Sequence, residues 1–366
     1  MKLGLFMMPL HSLKLGYKAM YDQDVEAALL ADRLGYDEFW IGEHTAAKVE
    51  PVSNTLQFLS VLVPQTRRMK LCTGVLNLPQ HHPARIAADA AMFDHMSNGR
   101  FIMGIGPGGL VSDFELYGTT EKNRQAMMVE AIDMIEAIWR SDPPYELSGE
   151  HWTITVRDSY QPDMGIGPMP KPLQDPFPTF CTSAMSPHSG TARLAGERGW
   201  ELISANFNAA WSVRSHWASY CQGAEAGGRR PDPATWRVAR SILVTDSARR
   251  AEDYLARPGN AIEGYYTYLF TQLGRAGARK IFLLAEDMAE DDLTLPAVLD
   301  SMVIAGSPDQ VTDKLVAFID EVGPFGGLLA AFHEWDDKAI WQGSMRHLVE
   351  TVMPKVADYG RSKLAA

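Results

Sequence analysis

The chain has 366 residues, enough for one large barrel or two ordinary domains. Its 46% hydrophobic and 22% charged residues are those of a globular protein, and a formal net charge of -11 without any basic stripe argues against a nucleic-acid partner. No run approaches the roughly 18 apolar residues of a membrane span. Cys72, Cys181 and Cys221, odd in number and widely spaced, support neither a disulfide framework nor a zinc motif, so a reducing cytoplasm is the expected location.

Residues 2–8 read as an apolar strand; Pro9 and His11 interrupt the run and no small-residue cleavage site follows, which speaks against a signal peptide. Apolar residues at 25, 28, 29 and 30 predict an amphipathic helix over 24–34, ended by Gly35. Glu38–Ile41 is a second strand, 54–63 a helix and 70–76 a third strand. Pro83 lies in the first turn of a helix to Met96, and Asn98-Gly99 turns the chain into a fourth strand over 100–105. A long helix follows over 121–139. Near-continuous apolar strands alternating with helices predict a parallel sheet covered by helices.

The alternation breaks over 141–178, where proline and glycine predict an extended insertion. A strand over 179–182, a helix to Arg198, strand Glu201–Ser204, a helix over 209–226 and strand Trp236–Val244 resume it. Residues 246–305 hold helical pieces without a strand partner and read as a second insertion. Ser307 caps a helix over 308–322, 326–332 is an eighth strand, and a helix covers about 338–358. Eight strands with eight helices predict a single (β/α)8 TIM barrel domain over 1–366 with insertions at about 141–178 and 246–305; a doubly wound open sheet is the rival.

In a barrel the residues just after each strand assemble the site. The tip after the second strand, in LGYDEFWIGEHT (34–45), presents Glu43 beside His44. An imidazole there can give or take a proton, whereas the bland reading is a loop histidine. Glu43 either fixes the tautomer of His44 or is a structural ion pair. Other tips are His11, Leu76-Asn77, 104–109, 183–186, 204–206 and 333–335. GIGPGG (104–109) is not a dinucleotide fingerprint; it is a tight turn, or leaves room for a flat ring. The serines of SAMSPHSG (183–190) open a helix, either as a simple cap or as a phosphate site, with Arg124 available for charge. Adjacent His81-His82 point to opposite sides and lack a completing carboxylate pattern, so no metal site is expected. Trp335 and the 18 methionines are expected in core or in an apolar substrate pocket.

Taken in order, LGLFMMP, ADRLGYDEFWIGEH, TGVLNLPQHHPARIAADAAMFDHMSNGRFIMGIGPG, DFELYGTT with Arg124, SAMSPHSGTARLAGERG and SPDQVTDKL resemble the bacterial luciferase-like flavin-dependent monooxygenases. The tail GPFGGLLAAFHEWDD with WQGSM and VMP is similar to the limonene-monooxygenase-like branch. The resemblance implies a barrel that binds reduced FMN (FMNH2), supplied by a separate NAD(P)H:flavin reductase, and uses O2 through a C4a-peroxyflavin to oxygenate a small, mostly apolar or heterocyclic substrate. It also implies a homodimer.

Carried onto this chain, His44 matches the catalytic histidine. The cofactor positions are Thr73, Gly74, Val75 and Asn77 at strand three, Gly106, Arg124, and Ser183, Ala184, Met185 and Ser189 at the phosphate turn. Gly74-Val75 falls where the luciferase-type strand carries a non-prolyl cis peptide. Gly106 and Pro107 replace a cysteine and an arginine, which removes one phosphate contact and makes light emission unexpected; Thr45 replaces a second histidine. Both insertions are expected as lids that shield the flavin from water. The rival readings are a deazaflavin (F420)-dependent hydride transferase on the same barrel and a non-enzymatic flavin-binding protein.

Overall fold

A computed structural model describes residues 1–365. Eight strands form a closed parallel barrel: β1 (Lys2–Met7), β2 (Glu38–Ile41), β3 (Lys70–Thr73), β4 (Phe101–Gly106), β5 (Phe180–Ala184), β6 (Glu201–Ser204), β7 (Trp236–Val244) and β8 (Gly327–Ala331). Each pairs with the next, and β8 closes on β1 in the register Lys2 to Gly327 through Phe6 to Ala331. β2, β4, β7 and β8 are buried along their whole length, because helices cover the outside and side chains fill the inside. The architecture is the predicted TIM barrel.

The bore is filled in two levels. At the strand starts, Arg237 crosses from β7 to β2, donating to Glu38 Oε2 and Oε1 at 2.6 and 2.8 Å, and reaches Glu201 Oε2 on β6 at 2.6 Å. Burial would raise the Glu38 carboxyl, but the Arg237 bonds and the Trp40 indole N–H hold it below the usual carboxylate range. Glu201 has the weaker share of the same guanidinium, and burial pushes its carboxyl up. Above lie Trp40, Cys72, Ile102, Cys181, Ile203, Ala239 and Leu329, packed as one interior cluster. Gly104 on β4 allows the walls to close here: a Cβ would sit 1.8 Å from the Thr73 carbonyl oxygen.

Several elements differ from the sequence reading. The third strand is two pieces, Lys70–Thr73 and Leu76–Asn77, separated at the cis Gly74–Val75 peptide; the second piece pairs with Ile105 and Gly106. The first helix begins earlier, at Tyr17, and the helix read over 121–139 begins at Arg124, with an unforeseen short helix Val111–Leu116 before it. Residues 303–305, read as insertion, start strand Val303–Gly306, which lies parallel to Ser241–Val244.

The two insertions differ in place: the first runs along the outside of helix Arg124–Arg140, where its hairpin turn donates to Glu130. Residues 141–178 lead from the end of helix Arg124–Arg140 back to the start of β5 and carry the hairpin Tyr145–Ser148 with Thr153–Val156. Gln174 anchors them to Phe101, the first residue of β4, through its carbonyl at 2.9 Å, and to Asp94. No residue of this insertion lines the cavity at the strand tips, so it does not serve as its lid. The second insertion leaves the carboxyl end of β7 and its helix Ala261–Arg275 lies over the strand tips.

Arg237→Met should destabilise the fold by about 3–5 kcal/mol, since Glu38 then stays buried without its counter-charge. The Glu38 contribution is present above the ordinary carboxylate pKa and is lost as pH falls through its depressed value, so the deficit should shrink towards acid. Urea midpoints at neutral and acid pH measure both; an Arg237→Met midpoint equal to wild type contradicts the assignment.

Candidate active site

Above the interior cluster the inward positions become small, and a cavity opens at the carboxyl ends of the strands. Phe6, Gly74, Ser183 and Ile203 form its floor, and Met8, Leu10, Val75, Leu110 and Phe207 its sides. Tyr265, Tyr268, Leu269 and Leu273 of helix Ala261–Arg275 roof it. The cavity volume is about 180 Å³, and the walls are mostly carbon.

His44 lies in this wall. β2 ends at Ile41, and the following loop turns the imidazole so that Nδ1 meets Asp113 Oδ2 at 3.0 Å while Nε2 is 4.0 Å from Glu50 Oε1. Asp113 comes from helix Val111–Leu116, beyond β4; its buried carboxylate also accepts the backbone N–H groups of Thr45 (3.1 Å) and Ala46 (2.7 Å). Burial opposes charge on His44, but the Asp113 hydrogen bond and the negative charges of Glu50, Asp113 and Glu43 outweigh it and raise its pKa. Burial likewise opposes charge on Asp113, but His44 and the two backbone donors hold its carboxyl low. The pair is therefore an imidazole with a raised proton affinity, oriented through Nδ1, with Nε2 turned to the cavity.

Glu43 does not orient His44. Its Oε2 accepts from Thr55 N and Oγ1, both at 3.1 Å, and its Oε1 accepts from Asn77 N at 2.9 Å and lies 3.0 Å from His81 Nε2. It thus ties β2, the 55–62 helix and the β3 tip together. Among the described residues no group of three His, Cys, Asp or Glu side chains is placed to share a metal ion.

Of the other sequence-predicted positions, Gly74, Val75, Asn77, Ser183 and Met185 line the cavity. The remaining five do not reach it. Thr73 donates its hydroxyl to the Gly104 carbonyl at 2.6 Å, inside the sheet. Gly106 lies behind Val75, where a Cβ would come within 2.5 Å of Val75 Cγ2. Ala184 is fully buried, its carbonyl accepting from Ala205 N. Ser189 caps helix Gly190–Arg198 through Ala192 N at 3.2 Å. Arg124 donates to the carbonyls of Thr119 and Thr120 and stacks over the Phe114 ring at 3.7 Å.

Trp40 and Trp335 are also outside the cavity. Trp40 belongs to the interior cluster, and Trp335 packs on Phe332. The His11 tip is a buried pair with Asp24 at 2.9 Å; burial opposes its charge, but Asp24 and Glu334 raise its pKa to about 9. His333 bonds Ser241 Oγ at 3.0 Å, and burial pushes it down to about 3.

Sequence reasoning missed Asp113, Glu50, Tyr265 and Tyr268. Tyr268 donates to Glu50 Oε2 at 3.0 Å and Tyr265 to Asn206 Oδ1 at 3.0 Å, fastening the roof to two strand tips. The i, i+3 spacing of the two tyrosines marks one helix face, a signal available in YYTY; Glu50 carries no local signal, and the motif DFELYGTT that Asp113 opens does not reveal its pairing with His44.

Comparisons with known proteins agree with the fold. The family described as luciferase-like monooxygenase matches residues 1–324. The chain is 28% identical over 359 residues to a 4-hydroxyprotoasukamycin monooxygenase of Streptomyces nodosus subsp. asukaensis, covering 96% of this chain and 91% of that one. It is also 28% identical to a limonene 1,2-monooxygenase of Rhodococcus erythropolis over 96% and 85% of the two chains. The oxygenating constituent of 3,6-diketocamphane monooxygenase from Pseudomonas putida, solved in complex with FMN, superposes with a TM-score of 0.87 at 25% identity over 97% and 98% of the chains.

Asp113→Asn removes the anion that raises His44, so the pH at which its imidazole loses its proton should fall. Titrating the His44 ring protons by NMR measures this directly. An unchanged midpoint would mean that Asp113 is only a loop anchor.

Proposed function

The chain belongs to the luciferase-like monooxygenase family, and from that premise we propose that it is the oxygenase component of a two-component system, acting with reduced FMN and O2 on a small, largely apolar or heterocyclic molecule. The observation that carries the reading is the His44 imidazole, oriented by Asp113 and facing an apolar cavity at the strand tips.

The floor of the cavity suits one face of a three-ring flavin. Gly74 in its floor presents no side chain, and a Cβ there would press on the Phe6 ring at 3.2 Å and on Trp40 Cβ at 3.3 Å, so the surface stays flat. Gly74, Val75, Asn77, Ser183 and Met185 would hold the cofactor, with Ser183 as a hydroxyl donor towards its ribityl phosphate. Arg124 would have to leave the carbonyls it now binds to serve that phosphate. Its place at the start of a long helix leaves the charge near the same rim.

Bound reduced flavin supplies the electrons for O2, one atom of which enters the substrate and the other leaves as water. The chain's own part is positional and protonic. Asp113 keeps Nδ1 protonated and so leaves Nε2 to hold or deliver a proton at the ligand. Phe6, Leu110, Phe207, Leu269 and Leu273 exclude water. The 246–305 insertion serves as the lid, with the Tyr268–Glu50 bond as its latch. A relative described as an oxygenating constituent supports a separate NAD(P)H:flavin reductase as partner.

The test is anaerobic titration with reduced FMN followed by O2 uptake across terpenes, cyclic ketones and N-heterocycles, for wild type and His44→Ala. The reading expects tight reduced-FMN binding by both, and turnover lowered about 10²–10⁴-fold in the variant. Binding of F420 without O2 uptake would transfer the protein to hydride chemistry, and His44→Ala turning over like wild type would remove the proposed role.

A further inference from the structure

We propose that Glu50 selects the substrate of this site: its free carboxylate oxygen accepts a hydrogen bond from a hydroxyl or protonated amine on an otherwise apolar molecule, and the site rejects molecules whose polar end is anionic. The inference rests on the reading of the cavity as the place of oxygenation and adds the substrate class to it.

Three carboxylates approach the cavity, and two are saturated. Glu43 takes two hydrogen bonds from Thr55, one from Asn77 and a contact to His81. Asp113 takes two backbone N–H groups and His44. Glu50 differs. It is 4% exposed, in the cavity wall, and only its Oε2 is engaged, by the Tyr268 hydroxyl at 3.0 Å. Its Oε1 receives no hydrogen bond from any described residue, the nearest charged group being His44 Nε2 at 4.0 Å. This oxygen stays accessible from the cavity in an otherwise apolar wall, so a donor on the ligand can engage it.

Charge gives the choice its sign. Among the described residues no lysine or arginine lines the cavity, and its one cationic candidate, His44, already faces Asp113 at 3.0 Å. The field at Oε1 is therefore negative. It attracts an ammonium, accepts a hydroxyl and repels a carboxylate or phosphate. The 4.0 Å between Oε1 and His44 Nε2 seats the bound polar group beside the imidazole. Because Tyr268 belongs to the roof helix, the latch that closes the cavity also fixes the rotamer of the selecting carboxylate.

The test uses four probes of one shape: cyclohexanol, cyclohexylammonium, cyclohexanecarboxylate and methylcyclohexane. Their affinities are measured by saturation-transfer NMR at neutral pH, with and without FMN, for wild type, Glu50→Gln and Tyr268→Phe. Wild type should bind the alcohol or the ammonium about tenfold or more tightly than the carboxylate. Glu50→Gln should erase that ranking, and the probe that loses most identifies hydroxyl or ammonium as the natural donor. Tyr268→Phe keeps the charge and frees the carboxylate, so the ranking should weaken but keep its sign, which tests the idea even where Glu50→Gln fails to fold. A ranking untouched by Glu50→Gln overturns the proposal. So does a loss of FMN affinity at constant ranking, which would assign Glu50 to the cofactor. Failure of wild type to bind FMN would strike the oxygenase reading instead, while the probe ranking without FMN still judges Glu50.

Discussion

A closed eight-stranded barrel has a bore of fixed width, and what fills it decides where a ligand can go. Here the filling is uneven along the axis. Arg237, Glu38 and Glu201 occupy the amino-terminal end, and Trp40 with Cys72, Ile102, Cys181, Ile203, Ala239 and Leu329 occupies the middle. At the carboxyl end Gly74 and Ser183 replace the large residues. A cavity therefore opens at that end. Its floor is the top of the packed cluster, so the geometry of the site is set by the core beneath it.

The ionic level at the bottom has a cost. Three ionised groups are withdrawn from water, and two carboxylates share one guanidinium. Arg237 ties β7 to β2 and β6 across the bore, and removing it would leave buried carboxylates without their counter-charge. The same logic of saturated and unsaturated carboxylates organises the mouth. Glu43 and Asp113 are spent on holding loops and orienting His44, whereas Glu50 keeps an oxygen free towards the cavity.

Much of the fold was legible in the sequence. Glu38–Ile41, Glu201–Ser204 and Trp236–Val244 are found with the predicted bounds, because each is a short apolar run between a glycine- or proline-marked turn and a polar tip. Val303–Gly306 was lost because VIAG follows directly on a helix and adds only a local pairing to β7. Helix Val111–Leu116 was lost because six residues carry too little periodicity. Chain order alone could have kept 141–178 from the strand tips, since it leads from a helix end to a strand start; its composition suggested a lid instead.

The site was legible in part. His44 stands at a strand tip, where barrel topology directs attention, and it does line the cavity. Its partner does not: Asp113 lies 69 positions away, and Glu43, the neighbour in sequence, points elsewhere. A strand end tells which residues reach the rim but not which way each one turns. Arg124 and Ser189 show the same limit, one tied to backbone carbonyls and the other to a helix cap.

The central claim is that the cavity above the packed bore seats a flavin against His44. Crystals grown anaerobically with reduced FMN address it most directly. The account expects ring density resting on Gly74 and Val75, with the His44 imidazole still bonded to Asp113 and its Nε2 directed at the ring. Density for the flavin anywhere else, or His44 swung out to solvent with the ring in place, would contradict it.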